Sequence, residues 1–206
     1  LSPAARLCGA VNTVVIEEDK TMTGYTTDGA GFFLSCQEAG FFVKGKKVVI
    51  LGSGGAGTAI FVQAALDGAE EIAIFTRSTS AFAERTRQVA GKLREQTGCK
   101  IAIYDYQDDV LRREIRDSQL LVNSTNIGMA PNEQECLIPD LSYFHPDLTV
   151  ADIIYNPLKT RLVKMAEEAG CRAFGGRDML LYQGAEAFRL WTGKEMPVER
   201  IREVCR

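Results

Sequence analysis

The 206-residue sequence contains a single histidine, His145. A histidine-built metal cluster cannot be made from one residue, and a Ser-His-Asp triad would have to use this one. Its neighbour Pro146 marks the position as a loop. No apolar run approaches the ~18 residues that a membrane span requires, so no membrane partner is expected. Charge of one sign is lacking too: 24 Lys+Arg stand against 27 Asp+Glu, a net charge of −3. That balance makes no electrostatic case for nucleic acid or an anionic bilayer. Six cysteines are present, but no two sit at CxxC spacing, so neither zinc nor a thioredoxin-like pair is indicated. Scattered thiols without a signal peptide read as reduced core residues of a cytoplasmic protein.

What is present is a globular balance, 46% hydrophobic and 25% charged, in a chain long enough to bury a core. Short apolar runs alternate with longer amphipathic stretches. Strands are expected at about 48–51, 72–75, 101–104, 120–122, 150–154 and 172–174. Helices are expected at about 58–66, 80–96, 109–116, 160–169, 179–191 and 198–205. This alternation argues for an α/β fold, a Rossmann-like doubly wound parallel sheet with helices on both faces. Val11 and Thr13 to Ile16 read as a strand followed by a charged turn. The expected division is a remnant of an N-terminal α/β substrate domain (1–25), a dinucleotide-binding domain (26–178) and C-terminal helices closing the interdomain cleft (179–206). Leu1-Ser2-Pro3 looks like the cap and first turn of a helix, and upstream sequence is expected.

The apolar run Val48 to Leu51 leads directly into Gly52-Ser53-Gly54-Gly55-Ala56-Gly57, a G-x-G-x-x-G string that opens a helix. Gly52 permits the tight turn, Gly54 lets backbone approach a pyrophosphate, and Gly57 lets helix and strand pack closely. The helix N-terminus then offers N–H groups and partial positive charge to the phosphates. A dinucleotide cofactor is therefore expected. At the end of the next strand an NAD site usually places Asp or Glu about 20 residues on. This sequence has Thr76-Arg77-Ser78-Thr79. Arg77 would attract a 2′-phosphate that a carboxylate would repel, so NADP is preferred, with NAD still usable.

Further segments carry a resemblance. Gly9-Ala10-Val11-Asn12-Thr13 is followed by Gly24-Tyr25-Thr26-Thr27-Asp28-Gly29-Ala30-Gly31-Phe32, the glycine turn, and Asn123-Ser124-Thr125-Asn126-Ile127-Gly128-Met129. Asp152-Ile153-Ile154-Tyr155-Asn156-Pro157 and Met179-Leu180-Leu181-Tyr182-Gln183-Gly184-Ala185 complete the order. Together they resemble the shikimate dehydrogenase family over nearly the whole chain. Trp191-Thr192-Gly193-Lys194 is most similar to the quinate/shikimate branch.

The resemblance implies NADP(H)-dependent interconversion of shikimate and 3-dehydroshikimate, or of the quinate pair, in aromatic amino-acid biosynthesis or quinate metabolism. It implies a catalytic Lys–Asp pair, of which Asp28 is the Asp. The family's lysine motif, Asn-hydrophobic-Thr-x-Pro-x-Lys, is absent from these 206 residues, which alone are expected to turn over poorly. Substrate binding is implied for Asn12, Asp28, Tyr155 and Gln183. Cofactor binding is implied for Gly52, Ser53, Gly54, Gly55 and Ala56, and for Thr76, Arg77, Ser78 and Thr79. It extends to Asn126, Ile153, Ile154, Tyr155, Asn156 and Gly176. Three positions depart from the family pattern. Thr27 stands where Asn is usual, Gly175-Gly176-Arg177-Asp178 replaces Asp-Gly-x-Gly, and no second arginine lies near Ala81.

Read from the residues alone, other roles stay open. Asp28 could cap a helix starting at Gly29, Asn12 could belong to a turn, Gln183 to the polar face of a helix, and Tyr155 to a strand end. A non-catalytic, cofactor-sensing module on the same fold is the alternative function, and a homodimer is left open.

Overall fold

Successive strand residues point to opposite faces of a sheet, and here both faces of the central strands are covered. The computed structural model describes residues 1–204; Cys205, the expected end of the last helix, lies outside the described residues. Six strands form one parallel sheet: β3 (Lys47–Leu51), β4 (Glu71–Phe75), β5 (Lys100–Tyr104), β6 (Leu120–Asn123), β7 (Thr149–Asp152) and β8 (Arg172–Phe174). Their spatial order is β5-β4-β3-β6-β7-β8. The order reverses between β3 and β6, which is where an open α/β sheet has its crevice.

The registers line up the carboxyl ends in a row: Tyr104, Phe75, Leu51, Asn123 and Asp152 are successive partners. Alternation then sorts the core. Val48, Ile50, Ile72, Ile74, Leu120 and Val122 face one cluster, whereas Val49, Leu51, Ala73, Phe75, Leu121 and Val150 face the other. The first cluster packs under α2 (Asp28–Glu38), α3 (Gly55–Leu66) and α4 (Ala83–Thr97). The second packs under α5 (Asp108–Arg116) and α6 (Arg161–Glu168). Every one of these strand side chains is fully buried, so the sheet reads as continuous apolar runs rather than alternation.

The segment before the sheet begins with α1 (Pro3–Cys8), whose cap Ser2 accepts a hydrogen bond from the Ala5 N–H at 3.2 Å. An antiparallel pair follows, β1 (Thr13–Ile16) with β2 (Met22–Tyr25). This pair is a separate two-stranded sheet. The chain closes with α7 (Arg177–Thr192) and α8 (Val198–Val204), and the Trp191 indole N–H donates to the Val14 carbonyl at 2.9 Å.

Helix α2 lies between α3 and α7, and glycines set both spacings. A Cβ on Gly29 would meet the Ala59 carbonyl oxygen at 2.5 Å, and one on Gly31 would meet the Gln183 backbone nitrogen at 2.4 Å. No real side chain survives at those distances, so backbone packs against backbone.

Arg202 ties the last helix to this stack. Its guanidinium reaches Glu38 at 2.6 Å and Asp178 at 3.4 Å, and the Tyr182 hydroxyl donates to the same Glu38 at 2.6 Å.

Candidate active site

A strand that ends on a polar residue leaves that residue at the mouth of the crevice, and β6 and β7 both do so. Asn123 and Asp152 are nearly fully buried. The Asn123 amide donates to both Asp152 carboxylate oxygens at 3.1 Å, and the Thr160 hydroxyl donates to Asp152 at 2.7 Å. The Ile154 N–H donates to Asp152 at 3.0 Å, and the Thr125 hydroxyl donates to the Asn123 side-chain oxygen Oδ1 at 2.7 Å. Burial raises the Asp152 pKa, while the bonds from Ile154, Thr160 and Asn123 pull it down. The net effect of this network is to fix two loops, the one after β6 with Asn126 and the one after β7 with Ile153, Ile154, Tyr155 and Asn156. Ser124, Asn126, Ile153, Tyr155 and Asn156 line a cavity of about 500 Å³ between those loops. The side chains of Asn126, Tyr155 and Asn156 are exposed.

The glycine turn forms the opposite lip. Gly52 has φ +98°, a backbone conformation that favours glycine. A Cβ on Gly57 would meet the Gly52 carbonyl oxygen and the Ser124 hydroxyl, each at 2.6 Å. By contrast, apart from its chain neighbours and the helix's own backbone, nothing lies within 4 Å of a Cβ built on Gly54 or Gly55. Gly54 caps α3 without any side-chain hydrogen bond, so the N–H groups of the first turn face open space. That cradle fits a pyrophosphate. Helix α3 begins at Gly55 rather than at the expected residue 58, which brings those N–H groups into the turn itself. Ser53 and Thr76 are buried, and the Ser53 hydroxyl donates to Thr76 at 2.8 Å. Their side chains therefore clamp the turn to the loop after β4. Arg77, Ser78 and Thr79 are exposed on that loop.

The third part of the site is set by α2 and the β1–β2 segment. The structure corrects the reading of Asp28 as a helix cap. Helix α2 starts at Asp28 itself, Thr27 occupies the cap position, and no side-chain cap bond is made. The Asp28 carboxylate instead accepts a bond from the Asn12 amide at 2.8 Å. The Asn12 side-chain oxygen Oδ1 accepts the Thr27 N–H at 3.0 Å and the Thr13 hydroxyl at 3.0 Å. Asn12 is thus used within the protein to aim Asp28. Burial raises the Asp28 pKa and the Asn12 bond opposes that rise.

Asp28, Tyr155 and Gln183 line one cavity of about 150 Å³ together with Ala56, Ile153 and Gly176. A Cβ on Gly176 would collide with the Ile153 carbonyl, so the chain can pass there only as glycine. Carboxylate, phenol and carboxamide thus converge beside the glycine turn. The arrangement can hold a small polyhydroxylated molecule against a cofactor laid across the crevice.

Other expectations resolve simply. His145 sits in the loop before β7, its ring nitrogen 3.3 Å from the Ile115 carbonyl. Cys8, Cys36, Cys99 and Cys171 are buried, and none of the described cysteines is paired. Among the described residues there is no metal-competent cluster, and no helix is long and apolar enough to cross a membrane. Reasoning from sequence gave no role to Asn123, Asp152, Thr160 or Asp105. The signal for the first two was available: polar residues ending otherwise apolar strands.

Residues 176–206 match the family model of the shikimate 5′-dehydrogenase C-terminal domain. A shikimate dehydrogenase (NADP(+)) of Listeria monocytogenes is 48% identical over 205 residues, covering 99% of this chain and 70% of that protein. A quinate/shikimate dehydrogenase of Escherichia coli is 43% identical with the same coverage. The crystal structure of shikimate 5-dehydrogenase from Listeria monocytogenes, in complex with shikimate and NAD, superposes with a TM-score of 0.95 at 47% identity. It is matched over 100% of this chain and 71% of that one. Likeness of this extent, carried by sequence and backbone alike, makes the chain a member of the shikimate dehydrogenase family of oxidoreductases.

Proposed function

We propose that this protein interconverts shikimate and 3-dehydroshikimate, and quinate with its 3-dehydro analogue, using NADP(H) in preference to NAD(H). The observation that carries the reading is the 150 Å³ cavity in which Asp28, Tyr155 and Gln183 meet Ala56, Ile153 and Gly176. A ring hydroxyl held by the first three lies against the part of the crevice that would take a nicotinamide. The named relatives support the substrate class and the cofactor class. Their oxidoreductase names lend no support to the alternative of a non-catalytic sensing module.

The residues that would hold the cofactor are the turn Gly52 to Ala56, Arg77 to Thr79, Asn126, Ile153 to Asn156, and Gly176. When bound, a nicotinamide supplies the hydride acceptor. The protein handles position and proton. Asp28 accepts a hydrogen bond from the reacting hydroxyl, and Asn12 prevents the carboxylate from swinging away. Gln183 and Tyr155 fix the remaining polar groups of the ring. Only the ionised form of Asp28 can take up a proton, and its raised pKa places it nearer the working pH of a proton-handling group than an exposed Asp would be.

The reading includes a cytoplasmic compartment and a place in aromatic amino-acid biosynthesis or quinate metabolism. The described cysteines, all unpaired, fit a reducing compartment. The decisive experiment follows nicotinamide absorbance with the complete protein, offering shikimate and quinate with each cofactor. Turnover of shikimate with NADP above that with NAD is the expected result. Turnover of neither acid with either cofactor would reject the reading.

A further inference from the structure

The loop that should meet the adenosine ribose is held by a residue of the neighbouring strand. Asp105 follows β5 directly, and one carboxylate oxygen accepts the Ser78 N–H at 3.1 Å while the other accepts the Tyr106 N–H at 2.8 Å. Asp105, Ser78 and Thr76 line a cavity of about 400 Å³ beside α4. The two cations that line this cavity are already engaged: Arg87 by Glu84 at 3.1 Å, and Arg94 by the Ile101 carbonyl at 2.8 Å. That leaves Arg77 and Asp105 as opposite charges flanking one loop. Both are felt at a single buried oxygen, the Tyr106 hydroxyl. Burial pushes that phenol up to about 12, with Arg77 pulling it down and Asp105 pushing it further up.

We propose that Asp105 is a specificity-determining residue for the cofactor: its carboxylate shapes the 76–80 loop for the adenosine ribose, and its charge limits the preference for a 2′-phosphate. This rests on the reading of the crevice as a dinucleotide site. A 2′-hydroxyl is neutral and can donate to a carboxylate, whereas a 2′-phosphate carries close to two negative charges. A fixed negative charge beside the loop therefore opposes Arg77 for NADP and leaves NAD untouched. The pairing narrows further the modest preference that Arg77 alone would give and moves the site toward even use of both cofactors.

The experiment titrates NADP and NAD against the unaltered chain, Asp105→Asn and Asp105→Ala, at low and at high salt. Asparagine removes the charge and keeps one acceptor, for the Ser78 N–H, while giving up the second, which serves the neighbouring Tyr106 N–H. At low salt Asp105→Asn should tighten NADP about three- to tenfold and shift NAD less than about twofold. The gain should shrink at high salt, as a screened charge effect must. Asp105→Ala also removes the acceptor and should weaken NAD, which feels the loop but not the charge. NADP bound normally by the unaltered chain with no response in Asp105→Asn would overturn the proposal and leave the dinucleotide site standing. Equal weakening of both cofactors in Asp105→Asn would reduce the residue to a loop clamp and overturn it as well. Binding of neither cofactor by the unaltered chain would remove the site itself.

Discussion

The two ends of the central sheet are built on opposite electrostatic plans. At the amino end, Lys100, Glu71 and Lys47 are successive partners across three strands. Lys47 bonds Glu71 and Glu114 at 2.7 Å each, and Arg113 bonds Glu114 at 2.8 Å. Charges alternate and neutralise one another. At the carboxyl end the row finishes in Leu51, Asn123 and Asp152, and the next residues open into glycine turn and loops. The larger cavity, about 1030 Å³, lies at the amino end, whereas the convergent polar groups line the 150 Å³ cavity at the other. Volume therefore does not locate the chemistry. Unspent donors and an isolated carboxylate do.

The sharpest test of this contrast is Asp28→Asn in the complete protein. It should lower kcat by ~10²–10⁴ and leave the Kd for the cofactor unchanged. Asn keeps an acceptor oxygen for the Asn12 amide at the first position of α2, so a residue with only a structural role would show no kinetic loss. Unaltered kcat would dissolve the functional half of the comparison.

Next in size is Asp152→Ala, which strands the Thr160 hydroxyl and the Ile154 N–H and leaves the Asn123 amide only the Ile127 carbonyl. We expect about 2–4 kcal/mol of lost stability in urea unfolding, with weaker cofactor binding because both loops lose their anchor. Arg77→Ala follows, with a ten- to hundredfold rise in the Kd for NADP and almost none for NAD. Equal weakening of both would mean that Arg77 stacks on the adenine instead of reading the phosphate.

The amino end should answer differently. Lys47→Met should cost about 1–3 kcal/mol while leaving cofactor Kd and kcat unaltered, because Arg113 still faces Glu114 and the crevice lies at the other end of the sheet. A kinetic effect there would blur the division of labour.

The finest distinction is the sign of the pH response. Burial alone would raise Glu114, but its bonds to Lys47 and Arg113 outweigh that and hold it below the usual carboxylate range. Its stabilisation is present above the ordinary glutamate pKa and is lost as pH falls through the depressed value. Asp152 is shifted the other way by burial, so its ionised form opposes folding and that opposition is relieved on acidification. Unfolding measured from neutral to mildly acidic pH should show Glu114→Gln flattening the acid loss and Asp152→Asn steepening it. Shifts of the same sign would break the comparison.

Much of this was legible in the sequence because it is written locally. The buried strands announce themselves as apolar runs, and Gly52 to Gly57 can be read because strand, turn and helix are contiguous. What stayed hidden depends on partners far along the chain. Strand β2 carries Met22, Thr23, Gly24 and Tyr25, a mixture with no period, and becomes a strand only through its pairing with Thr13 to Ile16. Asp28 looks like a helix cap until Asn12, 16 residues earlier, is found on its carboxylate. Asp105 looks like a loop residue until Ser78, 27 positions away, donates to it.

The backbone contact between Gly31 and Gln183 has a consequence for anyone who would rebuild this protein. With no side chain between them, α2 and α7 have no lubricating layer, so Asp28 and Gln183 travel as one rigid piece. A library that varies α7 around Gln183 to accept a new ring inherits the placement of the acid along with it. Transplanting the acid to another scaffold demands that both helices move together. Substrate range should therefore evolve more readily through the loop bearing Tyr155, which can shift without dragging the carboxylate with it.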